Sequence, residues 1–322
     1  MKALRWTAVA SGAAVFVMIV LGAVVRSTAS GLSCPDWPTC YGQWILTPDQ
    51  FYAIPNTGYT YGQMMLEWSH RAFAAFVIGP LFLVLAWLCW RSRPVLPRGR
   101  TYAVVLLVLL LIQAKLGGVT VFDANSPWSV ALHLGFALLI LAWLVLIVER
   151  TVPPEAAHPP AGLRILAVAV WVTALCAMLA AAMTAKSGAS LACSTWPLCD
   201  GYVIPPLDDI GVRLHFAHRV LAGLTALGLL ALFLLVRRAP GVEPRIRRLA
   251  TVAFVLVVCQ VAMGALVIVL LVPIWSGVAH QALGIGTFIA LTASMWRILP
   301  PRGSGQDVLA GEDGHDRRLQ QA

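Results

Sequence analysis

Eight long apolar segments run through this sequence of 322 residues and constrain its fold more than any other feature. A helix needs roughly 20 predominantly apolar residues to cross the hydrocarbon core of a bilayer, and each segment is about that long. Only 11% of the residues are charged, whereas soluble domains carry about a quarter. The sequence therefore predicts an all-α integral membrane protein. The predicted spans are 6–28, 67–90, 101–122, 128–149, 163–184, 214–236, 248–271 and 275–297.

The distribution of basic residues predicts that both chain termini are cytoplasmic. Most of the 23 lysines and arginines fall on one side of the spans, notably in the loops 91–100 and 237–248, and cytoplasmic loops carry such an excess. The net charge of +9 is thus a topology signal, and no nucleic-acid partner is expected. The apolar run 6–25 is longer than a typical signal-peptide core, so we expect this span to be retained. Because no Arg- and Ser-rich transit segment precedes it, we expect a bacterial inner membrane.

The sequence also repeats itself, with four spans in each half. Because an even number of spans returns the chain to its starting side, the halves are predicted to be parallel repeats about an axis along the membrane normal. Each half would be an up-down four-helix bundle. The matching segments are CPDWPTCYG (34–42) with CSTWPLCDG (193–201), EWSHR (67–71) with HFAHR (215–219), and QAKLGGVTV (113–121) with QVAMGALVI (260–268).

The repeat predicts a division of the chain into two bundles. The predicted parts are an N-terminal bundle (1–150) with a long outer loop (29–66), a cytoplasmic linker (151–162), a C-terminal bundle (163–298) with an outer loop (185–213), and a disordered cytoplasmic tail (299–322).

Four histidines recur at matching positions, near the outer ends of the second and fourth span of each half. In a bundle these two spans lie diagonally, so His70 is expected to face His133, and His218 to face His280. Metal-binding side chains inside a membrane are costly and usually functional. Two facing imidazoles can ligate one iron axially and leave its equatorial positions to a porphyrin. Zinc prefers four ligands, and Glu67 is the further candidate ligand near the first pair.

Small residues at the level of the histidines favour the approach of a flat macrocycle to the backbone, although ordinary helix packing also uses small residues. The arginine that follows a histidine in each half, Arg71 or Arg219, is a candidate partner for a haem propionate. The alternative is that both arginines extend to the lipid headgroups. The small residues are Gly22, Gly117, Gly118, Ala180, Ala181, Ala182, Gly264 and Ala265.

The two halves differ beside their histidines, because the first half has Glu67 where the second has His215. Glu67 and His70 share a helix face at i,i+3 spacing. A carboxylate in a partly dry pocket can take up or deliver protons, so the first site is interpreted as reactive and the second as holding a redox cofactor. The alternative is that Glu67 is solvated or caps the first turn of its own helix.

The seven cysteines fall into two groups. Cys89, Cys176 and Cys259 lie inside spans and are predicted to be packing residues. The loop pairs Cys34/Cys40 and Cys193/Cys199 lie in an outer, oxidising compartment, which favours structural disulfides. A redox relay at Cys34 and Cys40 is the alternative. Lys115, in the third span, has no counterpart in the second half, and its role stays open.

With these motifs the chain resembles the haem A synthase family over residues 5 to about 298. The resemblance rests on EWSHR, on HFAHR, on the histidines of ALHLG and VAHQALG, and on SGLSCPDWPTCYG. It implies an enzyme that oxidises the C8 methyl group of haem O, in steps, to the formyl group of haem A for cytochrome oxidase. It further implies water as the oxygen source and a haem O synthase as the partner that delivers the substrate.

The resemblance also implies roles for individual residues. His70 and His133 would be axial ligands of the substrate haem, and His218 and His280 those of a permanent haem b. Glu67 would be the catalytic carboxylate, and Cys34 and Cys40 would match the family's outer-loop cysteine pair. The electron acceptor is unknown, and a homo-oligomer is compatible with the sequence.

Two other classes of protein compete with this interpretation. A quinol-linked di-haem b cytochrome that modifies no haem explains the four histidines equally well, but it gives the difference between Glu67 and His215 no purpose. A transporter with parallel repeats predicts polar groups near the middle of the membrane, whereas these cluster toward its outer side.

Overall fold

Eight long helical spans form the computed structural model, which describes residues 1–92, 96–153 and 159–299. Each is long and apolar enough to cross a membrane, which confirms the all-α multi-pass fold. Parts of the predicted loop 91–100 and of the linker 151–162, and the tail beyond 299, lie outside the described residues. In chain order the helices are α1 (Lys2–Ser27), α2 (Pro48–Tyr52, in a loop), α3 (Tyr61–Phe73), a π-helical segment (Ala74–Ile78), α4 (Gly79–Arg91), α5 (Gly99–Phe122), α6 (Pro127–Arg150), α7 (Ala161–Lys186), α8 (Ile210–Arg238), α9 (Pro244–Val269) and α10 (Ile274–Ile298).

All eight spans begin earlier than predicted, and in α3 and α8 polar capping residues extend the helix beyond its apolar segment. Helix α3 begins six residues before the predicted position 67, where Thr60 and Gln63 form a capping box that satisfies the first free backbone N–H groups. Helix α8 begins before position 214, and the Asp209 side chain accepts a hydrogen bond from the Val212 N–H. We call the end of the molecule at which α1 ends the outer end.

The second span contains a π-helical segment that α8 lacks. It covers Ala74–Ile78, and the Gly79 N–H donates to the Ala74 carbonyl. Pro80 follows directly and has no N–H with which to continue the regular α-helical pattern. A π-helical insertion of this kind is frequent at functional sites. Here it begins four residues after His70, so the two halves differ in backbone as well as in sequence at this level.

The apolar core lies toward the inner end and joins the two halves. Its largest fully buried side chains include Phe82, Leu138 and Phe288. The indole of Trp296 in α10 donates to the Ala142 carbonyl in α6 at 3.2 Å. Since the buried side chains concentrate at this end, the outer end is left to enclose a cavity.

A buried cluster of ion pairs also joins the halves at the inner end. Glu149, at the end of α6, accepts two hydrogen bonds from Arg245 in α9, at 2.7 and 3.1 Å. Its second oxygen lies 3.0 Å from Nε of Arg297 in α10, and Arg297 also lies 3.2 Å from Glu243. Glu149 is only 6% exposed, so loss of its charge would leave two partly buried arginines short of a counter-charge.

We predict that Glu149→Ala lowers the free energy of unfolding by about 3–5 kcal/mol, because removal of one member of a buried ion pair leaves the other charge uncompensated. Thermal unfolding in detergent measures the effect, and Asp49→Ala, at an exposed position of α2, is the control. Equal melting temperatures for wild type and Glu149→Ala would contradict the prediction.

Candidate functional site

A cavity of about 1580 Å³ occupies the outer half of the molecule and is lined by both repeats. Pockets for one small molecule usually measure roughly 300–1,000 Å³, so this cavity has room for more than one ligand of that size. All four of the histidines singled out by the repeat line it: His70, His133, His218 and His280. The matched positions of the sequence therefore meet in one space.

The second histidine pair has a well-defined geometry. The ring centres of His218 and His280 lie 6.5 Å apart, with their planes at 90°. The His218 Nδ1–H donates to the Ala177 carbonyl at 2.9 Å, which leaves Nε2 as its free lone pair. The Gln260 amide nitrogen lies 3.3 Å from Nε2 of His280, and Nδ1 of His280 is buried without a hydrogen-bond partner in the described part of the chain.

The first histidine pair lines the same cavity, and its hydrogen bonds involve only one of the two imidazoles. The Gln113 amide nitrogen lies 3.2 Å from Nε2 of His133 and donates to the His133 carbonyl at 3.1 Å. Among the described residues, however, nothing forms a side-chain hydrogen bond with His70. One imidazole of this pair is thus oriented by a neighbour and the other is not.

The two glutamines were not singled out from the sequence, although Gln113 and Gln260 occupy the same position of the repeat. Each contacts the histidine of its half's last span, and each has a side-chain oxygen that is buried without a hydrogen-bond partner in the described segments. A partner of this kind sets the orientation and tautomer of an imidazole that binds a metal. The matched QAKLGG and QVAMGA motifs were the signal that could have identified them.

Glycines bring the helix backbones against three of the four imidazoles, whereas the predicted approach of a macrocycle to these small residues stays a prediction. A Cβ atom added to Gly22 would lie 3.2 Å from Nε2 of His70. A Cβ atom on Gly117 would lie 3.5 Å from His133, and one on Gly264 only 3.0 Å from His280. Gly118 instead faces the indole of Trp37. Side chains at these positions would occupy the space beside the imidazole rings.

The two cysteine pairs form disulfides, as expected, between Cys34 and Cys40 and between Cys193 and Cys199. Each closes a short loop whose tryptophan, Trp37 or Trp196, lines the cavity. Of the cysteines within spans, Cys89 is buried but Cys176 and Cys259 are exposed on the outside of their helices. The prediction that all three are packing residues was therefore wrong for two of them, because an apolar span does not reveal which of its faces is turned outward.

Hydrogen bonds close the first disulfide loop around a carboxylate. Asp36 accepts from the N–H groups of Tyr41 and Gly42 and from the Thr39 hydroxyl. Burial alone would raise the pKa of Asp36, but these hydrogen bonds outweigh it and hold the pKa below its usual value. In the second loop, Asp200 accepts in a similar way from the N–H and hydroxyl of Ser194.

Glu67 is buried and bound to this loop, so it is neither solvated nor a cap of its own helix. Its side chain accepts from the Cys34 N–H at 3.0 Å, lies 3.0 Å from the Ser33 hydroxyl and pairs with Arg71 at 2.6 Å. It also lines the cavity beside His70. His215 fulfils the same anchoring task in the second half, where its Nδ1 accepts from the Cys193 N–H at 3.2 Å.

Arg71 and Arg219 have partners other than those predicted. Arg71 donates to the carbonyls of Cys34, Asp36 and Thr39. Arg219 donates to the corresponding carbonyls of the second loop, on Cys193, Thr195 and Leu198. Both guanidinium groups therefore hold a disulfide loop over the cavity, a role that a sequence cannot reveal because loop carbonyls carry no side-chain signature.

Two remaining observations concern metals and Lys115. Within residues 1–92, 96–153 and 159–299, no group of three or more His, Cys, Asp and Glu side chains is arranged to hold a metal ion. Lys115 is exposed on the outside of α5 and does not line the cavity. The metal-binding side chains of the cavity thus come in pairs.

Eight apolar spans around a cavity with two matched histidine pairs define a multi-pass membrane protein with a duplicated, histidine-lined site. Residues 5–292 match the COX15-CtaA family, described as cytochrome oxidase assembly protein. A "Heme A synthase" of Symbiobacterium thermophilum is 34% identical over 277 residues, which cover 83% of this chain and 86% of that protein. A protein of the same name from Methylorubrum populi is 30% identical over 86% of this chain and 82% of its own length. Another from Geobacillus thermodenitrificans is 25% identical over 95% of this chain and 96% of its own length.

The chain belongs to the haem A synthase family. It is accordingly a multi-pass protein of the bacterial cytoplasmic membrane. The competing interpretation as a di-haem b electron carrier is not favoured, because the relatives carry the name of a synthase.

Proposed function

We propose that this protein is a haem A synthase that oxidises the C8 methyl group of haem O to a formyl group. The observation that carries the proposal is that two histidines from each half line one cavity, with a carboxylate beside only one of the two pairs. The names of the relatives support the reaction class, and the structure supplies the residues to which roles can be given.

The second histidine pair fits a porphyrin iron. Two imidazoles are a donor set that suits a porphyrin iron, which takes its four other ligands from the macrocycle. The ring centres of His218 and His280 lie 6.5 Å apart. The bond from His218 to the Ala177 carbonyl leaves the Nε2 lone pair of His218 free, and both imidazoles line the cavity. His218 and His280 would therefore hold haem b, which supplies one-electron redox chemistry when bound.

The first histidine pair would hold the substrate haem. Its looser anchoring supports this assignment, because a substrate must be released as product whereas a resident cofactor is retained. Gln113 orients His133, but His70 lacks a counterpart of the Ala177 bond within the described residues. The π-helical segment after His70 is a second difference at this site that matches a role in chemistry.

The oxidation would proceed in two steps on the substrate methyl group. Water enters and two electrons and two protons leave, which gives an alcohol. A second identical step gives a hydrated aldehyde, which loses water to form the formyl group. Four electrons and four protons thus leave in total, and an external electron acceptor takes up the electrons.

Glu67 would handle protons in these steps. It is a carboxylate that lines the cavity beside His70, with one oxygen hydrogen-bonded to Ser33 and Cys34 and the other paired with Arg71. Such a group can position water and accept a proton from it. Because His215 anchors the second loop in the same way, loop anchoring does not require an acid. The presence of a carboxylate in the first half therefore favours a chemical role there.

The arrangement in the membrane completes the proposal. We infer parallel four-helix repeats, 1–150 and 163–298, with both termini in the cytoplasm and both disulfide loops outside. The matching disulfides, arginine contacts and glutamine contacts of the two halves support the duplication, and the positive-inside rule supports the orientation. A haem O synthase is the expected supplier of the substrate.

Expression of the chain in a host that makes haem O but no haem A tests the proposed function. Extracted haems, separated by chromatography and identified by mass, should include the formyl product when the chain is present. Recovery of haem O and haem b alone, from cells in which the protein is abundant in the membrane, would refute the activity.

A further inference from the structure

Two cations at the mouth of the cavity have a different environment from Arg71 and Arg219. Arg26 lies in the last turn of α1, and Lys186 is the last residue of α7. Both are half-buried and line the cavity. They belong to the first helix of each repeat, so the duplication brings a positive charge to the outer end of both.

Neither cation has an acidic partner in the part of the chain that the structure describes. The ion pairs there join Glu67 to Arg71, or belong to the inner cluster around Glu149. Arg26 has one side-chain contact, with Gln281 Oε1 at 3.4 Å. Burial removes water from the guanidinium group of Arg26, and its one protein acceptor does not replace the hydrogen bonds that this water made. The carbonyl ends of the helices favour positive charge at these positions, but they do not fill its hydrogen-bonding capacity.

The positions of these cations relate them to both histidine pairs. Arg26 lies one helical turn beyond Gly22, on the same face of α1, and Gly22 abuts His70. On its other side Arg26 contacts Gln281, the residue after His280, and Gln281 in turn donates to the Ile19 carbonyl of α1 at 3.3 Å. Arg26 therefore stands between the first and the second pair.

Lys186 completes the arrangement from α7. It lies one turn beyond Ala182, which lines the cavity, on the helix whose Ala177 carbonyl holds His218. The guanidinium groups of Arg71 and Arg219 are turned toward loop carbonyls, to which each donates three hydrogen bonds. Arg26 and Lys186 thus have more donors left for an anionic ligand in the cavity than Arg71 and Arg219 have.

We propose that Arg26 and Lys186 form a carboxylate-binding site that takes the propionate groups of the porphyrins in the cavity, an inference that rests on the proposed function. Each porphyrin carries two propionates, and a charge-assisted hydrogen bond from a guanidinium or an ammonium to a carboxylate is among the stronger polar contacts in proteins. The site orients the macrocycles with their carboxylates toward the outer end and their remaining edges toward the apolar core.

Binding of two porphyrins that differ only in their carboxylates tests the site. The full-length protein, purified from haem-limited cells, is titrated with haemin and with haemin dimethyl ester, and binding is followed by absorption. Wild type should bind haemin more tightly than the diester. In Arg26→Gln and in Lys186→Gln the haemin affinity should fall about tenfold or more, while the diester affinity changes little. The matched control is Lys115→Gln, which removes a cation outside the cavity and should keep the wild-type preference.

A second measurement separates this role from a general effect on folding. Arg26→Lys, which keeps the charge, should recover part of the preference for haemin. In haem-loaded protein, Arg26→Gln and Lys186→Gln should each have a more negative midpoint potential than wild type. The ferric form bears the larger positive charge and is less disfavoured when a nearby cation is removed. An unchanged preference in Arg26→Gln and Lys186→Gln, or no preference in wild type, would overturn the proposal. Failure of every variant and of wild type to bind any porphyrin would instead overturn the proposed function.

Discussion

Replacing Glu67 with glutamine is expected to reduce haem A formation by about 100-fold or more while leaving porphyrin bound. General acid–base groups contribute typically about 10²–10⁴-fold to a rate. Glutamine keeps the size of the side chain and an oxygen that can accept from the Cys34 N–H. The amide cannot take up a proton at neutral pH. Haems extracted from cells that supply haem O give the product yield, and absorption of the purified protein gives the bound porphyrin.

His215→Gln is the matched control, because it alters the equivalent loop anchor of the second half without removing a carboxylate. This variant should retain most of its haem A formation. Thiol labelling of the cysteines, with and without reduction, shows whether the disulfide between Cys34 and Cys40 remains closed in Glu67→Gln. If both variants lost activity equally, or if Glu67→Gln made normal amounts of haem A, Glu67 would have a structural role alone.

The second large effect is expected from the histidines, and it should separate the two halves. His218→Ala or His280→Ala should lose the resident haem b from purified protein, because one axial ligand remains where two are needed for six-coordinate iron. His70→Ala or His133→Ala should keep haem b and lose co-purified haem O and haem A. Haem extraction and the absorption spectrum of the reduced protein distinguish these outcomes.

His215→Ala serves as the control for these substitutions, since this histidine lies on the same helix as His218 but is bonded to the Cys193 N–H. Its spectrum should match that of wild type. Loss of haem b on substitution of His70 rather than His218 would reverse the assignment of substrate and cofactor to the two halves.

The sequence predicted the spans and the histidine pairs because both leave periodic or repeated signals. Apolar runs of membrane length identified all eight helices, and the duplication identified His70, His133, His218 and His280 as a matched set. All four line one cavity. The early starts of α3 and α8 escaped prediction, since their first turns are polar and are held by capping side chains.

The partners of the charged side chains could not be predicted, because they depend on where loop carbonyls and N–H groups lie in space. The sequence suggested propionates for Arg71 and Arg219, whereas both hold the disulfide loops. It gave His215 no role, and it did not single out Arg26. Contacts of this kind link residues that are distant in the chain and share no motif.

Low-temperature electron paramagnetic resonance of the oxidised, purified wild-type protein tests the paired-imidazole sites most directly. Protein loaded with both haem b and haem O should show low-spin ferric signals from two centres with two imidazole ligands each. One signal should vanish in His218→Ala and the other in His70→Ala. High-spin iron in both sites, or protein free of any porphyrin, would contradict the assignment of these histidines as axial ligands.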